Sequence, residues 1–233
     1  MIDSGFSLLR SATGTRFQPT LRSVSFCSCY IYSPQGRTYA SEASRLLCMR
    51  LKKGDPVWLP LYAGLVHSQI LRREMLTGTF AEESVLVPVP GSAPSSRGVW
   101  PAQRLAFALH GVGLGTSVWP GVARRFPVRK SATAPSADRP TVHQHYESFV
   151  VAPRPVAPGL RYPPTRIVIV DDVITKGRTI LAAAIRLHEA FPNADIRAFA
   201  LVRTMGLLPD VADFLQPCEG VVRWAGGDAR REP

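Results

Sequence analysis

The sequence predicts an α/β protein built on a parallel sheet with helices on both faces, and three observations carry that prediction. Residues 166–170 read RIVIV, an uninterrupted β-branched run that marks a strand buried on both faces. A helical stretch and a second strand follow, and strand, helix and strand in succession make a βαβ unit. Hydrophobic residues are 45% of the 233, enough for a sizeable core and unlike a disordered composition. That length suits one domain with some extra material.

Residues 1–25 are rich in Ser, Thr and Arg and hold one acid, Asp3. They read as a flexible extension, with an Arg-rich, acid-poor transit peptide as the competing reading. Residues 26–32 (FCSCYIY) read as a short strand. A helix is expected over 41–53, with Ala43, Leu46, Leu47 and residues 49–51 as its apolar face and Gly54 as its end. A second runs over about 57–76, with Pro60 in its first turn, where proline is tolerated. Residues 84–89 (SVLVPV) are a short apolar strand, and 90–97 a loop of Pro, Ser and Gly. Pro101 starts a helix through His110, closed by Gly111, Gly113 and Gly115. Residues 120–147 show no clear periodicity. A proline-rich connector (153–164) precedes the strand at 166–170. A helix over 179–190, a strand over 195–202 and a last short strand over 221–224 complete the chain.

The formal net charge is +11. Residues 97–166 hold ten bases and two acids, a net of +8, so most of the excess lies mid-chain. Such a segment suits polyphosphate or nucleic acid; arginine-rich coding bias explains Arg over Lys but not the shortage of acids. Cys27, Cys29, Cys48 and Cys218 have no regular spacing and read as reduced thiols of a cytoplasmic protein. No apolar run approaches the ~20 residues that span a membrane.

The chemistry concentrates after Val170, in DDVITKGRT. A strand ends in two carboxylates, then a loop, then a helix start, and ligands of open parallel sheets sit beyond the carboxyl ends of the strands. Free N–H groups at a helix start hold phosphate, and the helix dipole favours its charge. Gly177 lets a ligand approach the backbone. Thr175 and Thr179 add hydroxyls, and Lys176 and Arg178 add positive charge. Ionised Asp171 and Asp172 only accept hydrogen bonds, so they suit a sugar diol or a magnesium ion held partly through water. Hydroxyl acceptors beside a phosphate cradle describe a site for ribose 5-phosphate.

This stretch resembles the phosphoribosyl pyrophosphate (PRPP) motif of type I phosphoribosyltransferases. Residues 85–109 (VLVPVPGSAPSSRGVWPAQRLAFAL), 138–151 (DRPTVHQHYESFVV) and, more loosely, 44–54 resemble ComF-type competence proteins. The resemblance implies a type I phosphoribosyltransferase fold over 81–226, behind a helical accessory part (26–80) and ahead of a tail (227–233). It implies that Asp171 and Asp172 contact the ribose hydroxyls with magnesium close by, that Val173 belongs to the PRPP-binding stretch, and that residues 175–179 hold the 5-phosphate. Arg97 would meet the pyrophosphate, and Arg129 and Lys130 would sit in a covering loop. The reaction implied is transfer of phosphoribose to a small-molecule acceptor with release of pyrophosphate. A ComF-like nucleic-acid accessory role through residues 97–166, or PRPP sensing without turnover, are the alternatives, and a homo-oligomer is compatible with each. Two departures stand out. Cys27-x-Cys29 does not have the spacing of the zinc ribbon with which ComF-type proteins often begin, and tetrahedral zinc needs four ligands, so no zinc is expected. Thr175 stands where purine-using enzymes often carry an aspartate. His143 and His145, read on a strand-like stretch, fit a surface or hydrogen-bonded role better than a metal site.

Overall fold

A computed structural model describes residues 17–72, 78–81, 83–94, 99–129, 138–152, 162–205 and 210–233. The chain order is β1 (Ser23–Tyr32), α1 (Tyr39–Lys53), α2 (Trp58–Arg72), β2 (Ser84–Pro88), α3 (Pro101–Gly111), β3 (Ser117–Val118), β4 (Val122–Arg124), α4 (Val142–Ser148), β5 (Phe149–Val151), β6 (Arg166–Ile174), α5 (Arg178–Ala190), β7 (Asp195–Thr204), β8 (Leu215–Ala225) and β9 (Asp228–Glu232). It is a mixed α/β protein. Its main sheet has seven strands in the order β3-β2-β6-β7-β1-β8-β9, and β4 and β5 form a separate antiparallel pair. The first five strands of that order run parallel; β8 and β9 are added antiparallel as a hairpin.

The apolar alternation of the strands feeds two cores. On one face Val85, Val87, Ile167, Ile169, Ala198 and Ala200 pack with the buried side of α5 and with Val142 of α4. On the other, Leu86, Val168, Val170, Phe199 and Leu201 pack with Leu47, Val66 and Leu105 of α1, α2 and α3. Val168, Ile169 and Val170 are 0% exposed, as a strand covered by helices on both faces requires.

Three expectations change in the structure. The RIVIV strand does not stop at Val170. It keeps its parallel register with β7 as far as Ile174 opposite Arg203, so Asp171, Asp172 and Val173 are strand residues and the loop begins at Thr175. The expected accessory part supplies β1, which lies between β7 and β8 inside the main sheet; residues 26–31 are all buried because neighbours cover both edges and both faces. The expected tail supplies β9, whose pairing with β8 places Arg231 beside Val222. Residues 120–147 show no period because β4 and α4 have three and seven residues, less than a pattern needs. Residues 1–16 of the expected extension lie outside the described residues. No described helix is long and apolar enough to cross a membrane.

Candidate functional site

The site forms at the carboxyl end of β6. Asp171 and Asp172 are half-buried there, and the Asp172 N–H donates to Oδ1 of Asp171 at 2.9 Å. Removal from water pushes the Asp171 carboxyl well above the usual carboxylate range; the Asp172 charge adds to this, and Arg124 opposes it. Asp172 is near enough to bear on the Cys48 thiol of α1, which burial pushes up to about 12. Beyond them Thr175 and Lys176 are exposed, and Thr179 is half-buried in the first turn of α5. Gly177 is the N-cap of α5 and provides no side-chain cap, so the first-turn N–H groups keep their capacity for an external acceptor.

Two of the expected contributors have other partners. A Cβ on Gly177 would sit 2.5 Å from Cγ2 of Val222, and the backbone there is left-handed at φ +79°. The glycine is therefore required by its own turn and by β8. Arg178 points to β9: Nε donates to Oδ1 of Asp228 at 2.7 Å and Nη2 to Oδ2 at 2.5 Å. Its Nη1 donates to the carbonyls of Arg139 and Pro140 at 3.1 and 3.3 Å. Its charge is thus matched by a carboxylate, and the positive charge offered at the loop comes from Lys176. Val173 is half-buried, with its side chain packed against the core beside α1–α3.

A cation that the sequence did not single out completes the arrangement. Arg124, on β4, is 6% exposed. Its Nε donates to the Gly91 carbonyl, its Nη1 to Oγ of Ser148, and its Nη2 lies 3.0 Å from Nδ1 of His145. The guanidinium also stands 4.3 Å above the Phe149 ring. Burial lowers its pKa to about 10 and Asp171 opposes that shift, so it stays charged at neutral pH. Arg124 therefore ties together the loop after β2, helix α4 and strand β5, and its charge bears on Asp171. Two more arginines underlie the loop. Arg231 donates to the Ile174 carbonyl at 3.0 Å and to that of Thr204, and buried Arg203 donates to the Gln216 carbonyl at 2.5 Å. Alternation could have flagged Arg124, since Val122 and Arg124 face inward and Ala123 outward, but three residues are too short a run to read. Arg203 and Arg231 carried no signal.

The remaining candidates separate from this cluster. Arg129 is exposed and paired with Asp138 at 2.8 Å. Arg97 and Lys130 lie outside the described residues. His143 and His145 are on helix α4, not on a strand, because Thr141 and Gln144 form a capping box that starts a helix. His143 is exposed, 3.4 Å from Glu147, and stacks on Phe17; His145 is buried against Arg124. The four cysteines are buried and free. Among the described residues no three His, Cys, Asp or Glu side chains cluster as a metal site would need. No family model matches the chain, and no curated protein matches it.

Proposed function

We propose that this chain is a PRPP-binding protein of the type I phosphoribosyltransferase kind, transferring phosphoribose to a small-molecule acceptor with release of pyrophosphate. One observation carries the reading. Two carboxylates stand near the end of a buried parallel strand, three and two residues before its last residue, Ile174, and Thr175 to Thr179 then run into an uncapped helix start. Carboxylates are acceptors for ribose hydroxyls and free N–H groups are donors for a phosphate, which supports the reading.

The acidic pair also fits a magnesium ion. Its oxygens are the hard donors that magnesium prefers, and the Asp171 carboxyl, raised first by burial and then by the Asp172 charge, is one whose ionised form a bound cation would favour. Asp171 and Asp172 would hold the ion, partly through water, and when bound it neutralises negative charge on the pyrophosphate. The chain's own contribution is electrostatic and positional. Charge builds on the leaving pyrophosphate as the bond to the anomeric carbon breaks, so preorganised cations and donors favour the transition state. Lys176 and the α5 N-terminus offer these at the loop. Arg124 holds the loop after β2 through the Gly91 carbonyl and its charge bears on Asp171, which favours a fixed relation between loop and acidic pair.

The basic mid-chain segment argues less for nucleic acid than its count implies. Arg124 is buried, and Arg129 and Arg166 are paired with Asp138 and Asp195.

Calorimetric titration with PRPP and magnesium tests the reading, comparing the protein with the double variant Asp171→Asn, Asp172→Asn. Binding by the first and not by the second is expected. Equal affinity in both would overturn the assignment of the acidic pair. Pyrophosphate release with a panel of acceptors then separates turnover from sensing.

A further inference from the structure

Two arginines meet at the carboxyl ends of β6 and β7. Arg231 reaches there from β9 and spans both strand ends. It donates to the carbonyl of Ile174, the last residue of β6, at 3.0 Å, and to that of Thr204, the last residue of β7. Arg203 precedes Thr204 in β7 and is the register partner of Ile174. The carbonyls that hold Arg231 therefore belong to the chain neighbour and the strand partner of Arg203. Burial and then the Arg203 charge lower the Arg231 pKa, as two close cations require.

Carbonyls alone hold the two guanidiniums. Among the described residues neither forms an ion pair with a carboxylate. The acids of the β8–β9 hairpin and its approach are engaged elsewhere: Asp228 with Arg178, Glu232 with Arg223 and Arg230, and Asp213 with the Leu215 N–H. The Cys29 thiol, on which Arg203 bears, adds no charge, because burial pushes it up to about 12. Unmatched cations held out of water are costly, and carbonyl dipoles offset only part of that cost.

Arg203 also keeps one edge free. It is 6% exposed, and its Nη1 donates to the Gln216 carbonyl at 2.5 Å. Its Nε is buried without an acceptor, and Nη2 donates to none of the described residues. Nε and Nη2 form the side-on edge of the guanidinium, whose two parallel N–H groups match the two oxygens of a carboxylate. Arg231 is half-buried and gives the pair an edge to solvent.

Strand order indicates which ligand group this edge would meet. β6 stands between β2 and β7. Arg124 and the loop after β2 lie to one side of the acidic pair, and the two arginines to the other. With pyrophosphate toward the loop after β2 and the 5-phosphate on residues 175–179, the β7 side is left to the acceptor. We propose that Arg203 and Arg231 bind a carboxylate of the acceptor, so that the acceptor is an anion and not a neutral base. Assigning that carboxylate to the acceptor rests on the PRPP reading; the carboxylate site itself does not.

Calorimetric titration with benzoate, and with benzamide as its neutral isostere, tests this, first without PRPP and then with PRPP and magnesium in excess. Benzoate should bind and benzamide should not, and Arg203→Met should weaken benzoate about tenfold. Excess PRPP should leave benzoate bound. No benzoate binding, equal binding of the two probes, or an unchanged affinity in Arg203→Met overturns the site. Displacement of benzoate by PRPP would give the arginines to PRPP and overturn the assignment to the acceptor. Arg203→Lys, which keeps the charge and loses the side-on edge, is the second variant; it should also weaken benzoate, with an unchanged circular dichroism spectrum. Benzoate binding by a protein that does not bind PRPP would leave the carboxylate site standing and remove the phosphoribosyltransferase reading.

Discussion

Nη2 of Arg124 lies 3.0 Å from Nδ1 of His145, and this contact fixes the state of the imidazole. A guanidinium only donates, so Nδ1 accepts and the proton of the neutral ring sits on Nε2. Burial, then Arg124, then Arg178 lower the His145 pKa to about 3. The ring is neutral throughout the physiological range, which suits it to holding Arg124 rather than to moving protons.

A pH dependence of stability follows. The unfolded histidine titrates near its ordinary value of about 6.5, so between there and the folded value the unfolded chain binds more protons. Stability is full above that window and is lost as pH falls through it. The loss is about 3 kcal/mol by pH ~4 at roughly 1.4 kcal/mol per unit. Urea unfolding from pH 7 downward should show the decline, and His145→Gln should flatten it. A slope unchanged in that variant would assign the effect to other groups.

Arg124 itself should be difficult to replace. Arg124→Met leaves the Gly91 carbonyl, the Ser148 hydroxyl and Nδ1 of His145 without their donor, at a cost of about 3 kcal/mol. Arg124→Lys supplies one ammonium where a planar fork met three separate acceptors, and should recover less than half of that. Both are measured by urea unfolding at pH 7.

Much of the architecture was legible because it depends on local pattern. The β-branched run at 166–170, the helix after it and the strand beginning at 195 each announce themselves within a few residues. What was missed depends on distant partners. Asp228 takes Arg178 from fifty positions away, and nothing in residues 227–233 signals a strand until β8 is there to pair with it. Val222 explains Gly177 in the same way. Charge type was readable in the sequence; the partner that neutralises it was not.

The pairing of Gly177 with Val222 can be tested as a coupling. Gly177→Ala is strained by its positive φ and by a Cβ 2.5 Å from Cγ2 of Val222, and should destabilise by about 2 kcal/mol. Val222→Ala opens space while creating a small cavity. The two changes together should cost less than the sum of each alone, by about 1 kcal/mol. Additive effects in thermal unfolding would mean that backbone conformation alone holds the glycine.

The ion pair of Arg178 with Asp228 bears on the loop indirectly. Asp228→Asn breaks a bidentate pair whose arginine side chain is 15% exposed, and should cost about 2 kcal/mol. It also leaves the Arg178 charge unmatched beside the loop. Inorganic phosphate should then bind more tightly to the variant than to the parent, read by calorimetry at low salt. Unchanged phosphate affinity would show that Arg178 does not reach the loop even when released.

The sharpest test of Asp171 sets stability against binding. Its carboxyl titrates above the ordinary range when folded, so the folded chain binds the proton more strongly than the unfolded one. Its stabilising contribution is present at low pH and is lost as pH rises through the folded value. Burial and the neighbouring Asp172 charge thus make the ionised form of Asp171 costly to the fold. Asp171→Asn removes that charge and keeps an Oδ1 acceptor for the Asp172 N–H. Tm at pH 7 should rise by several degrees while magnesium-dependent PRPP binding disappears. A group kept at a cost to stability is what a ligand site requires. A fall in Tm would instead make Asp171 a structural residue.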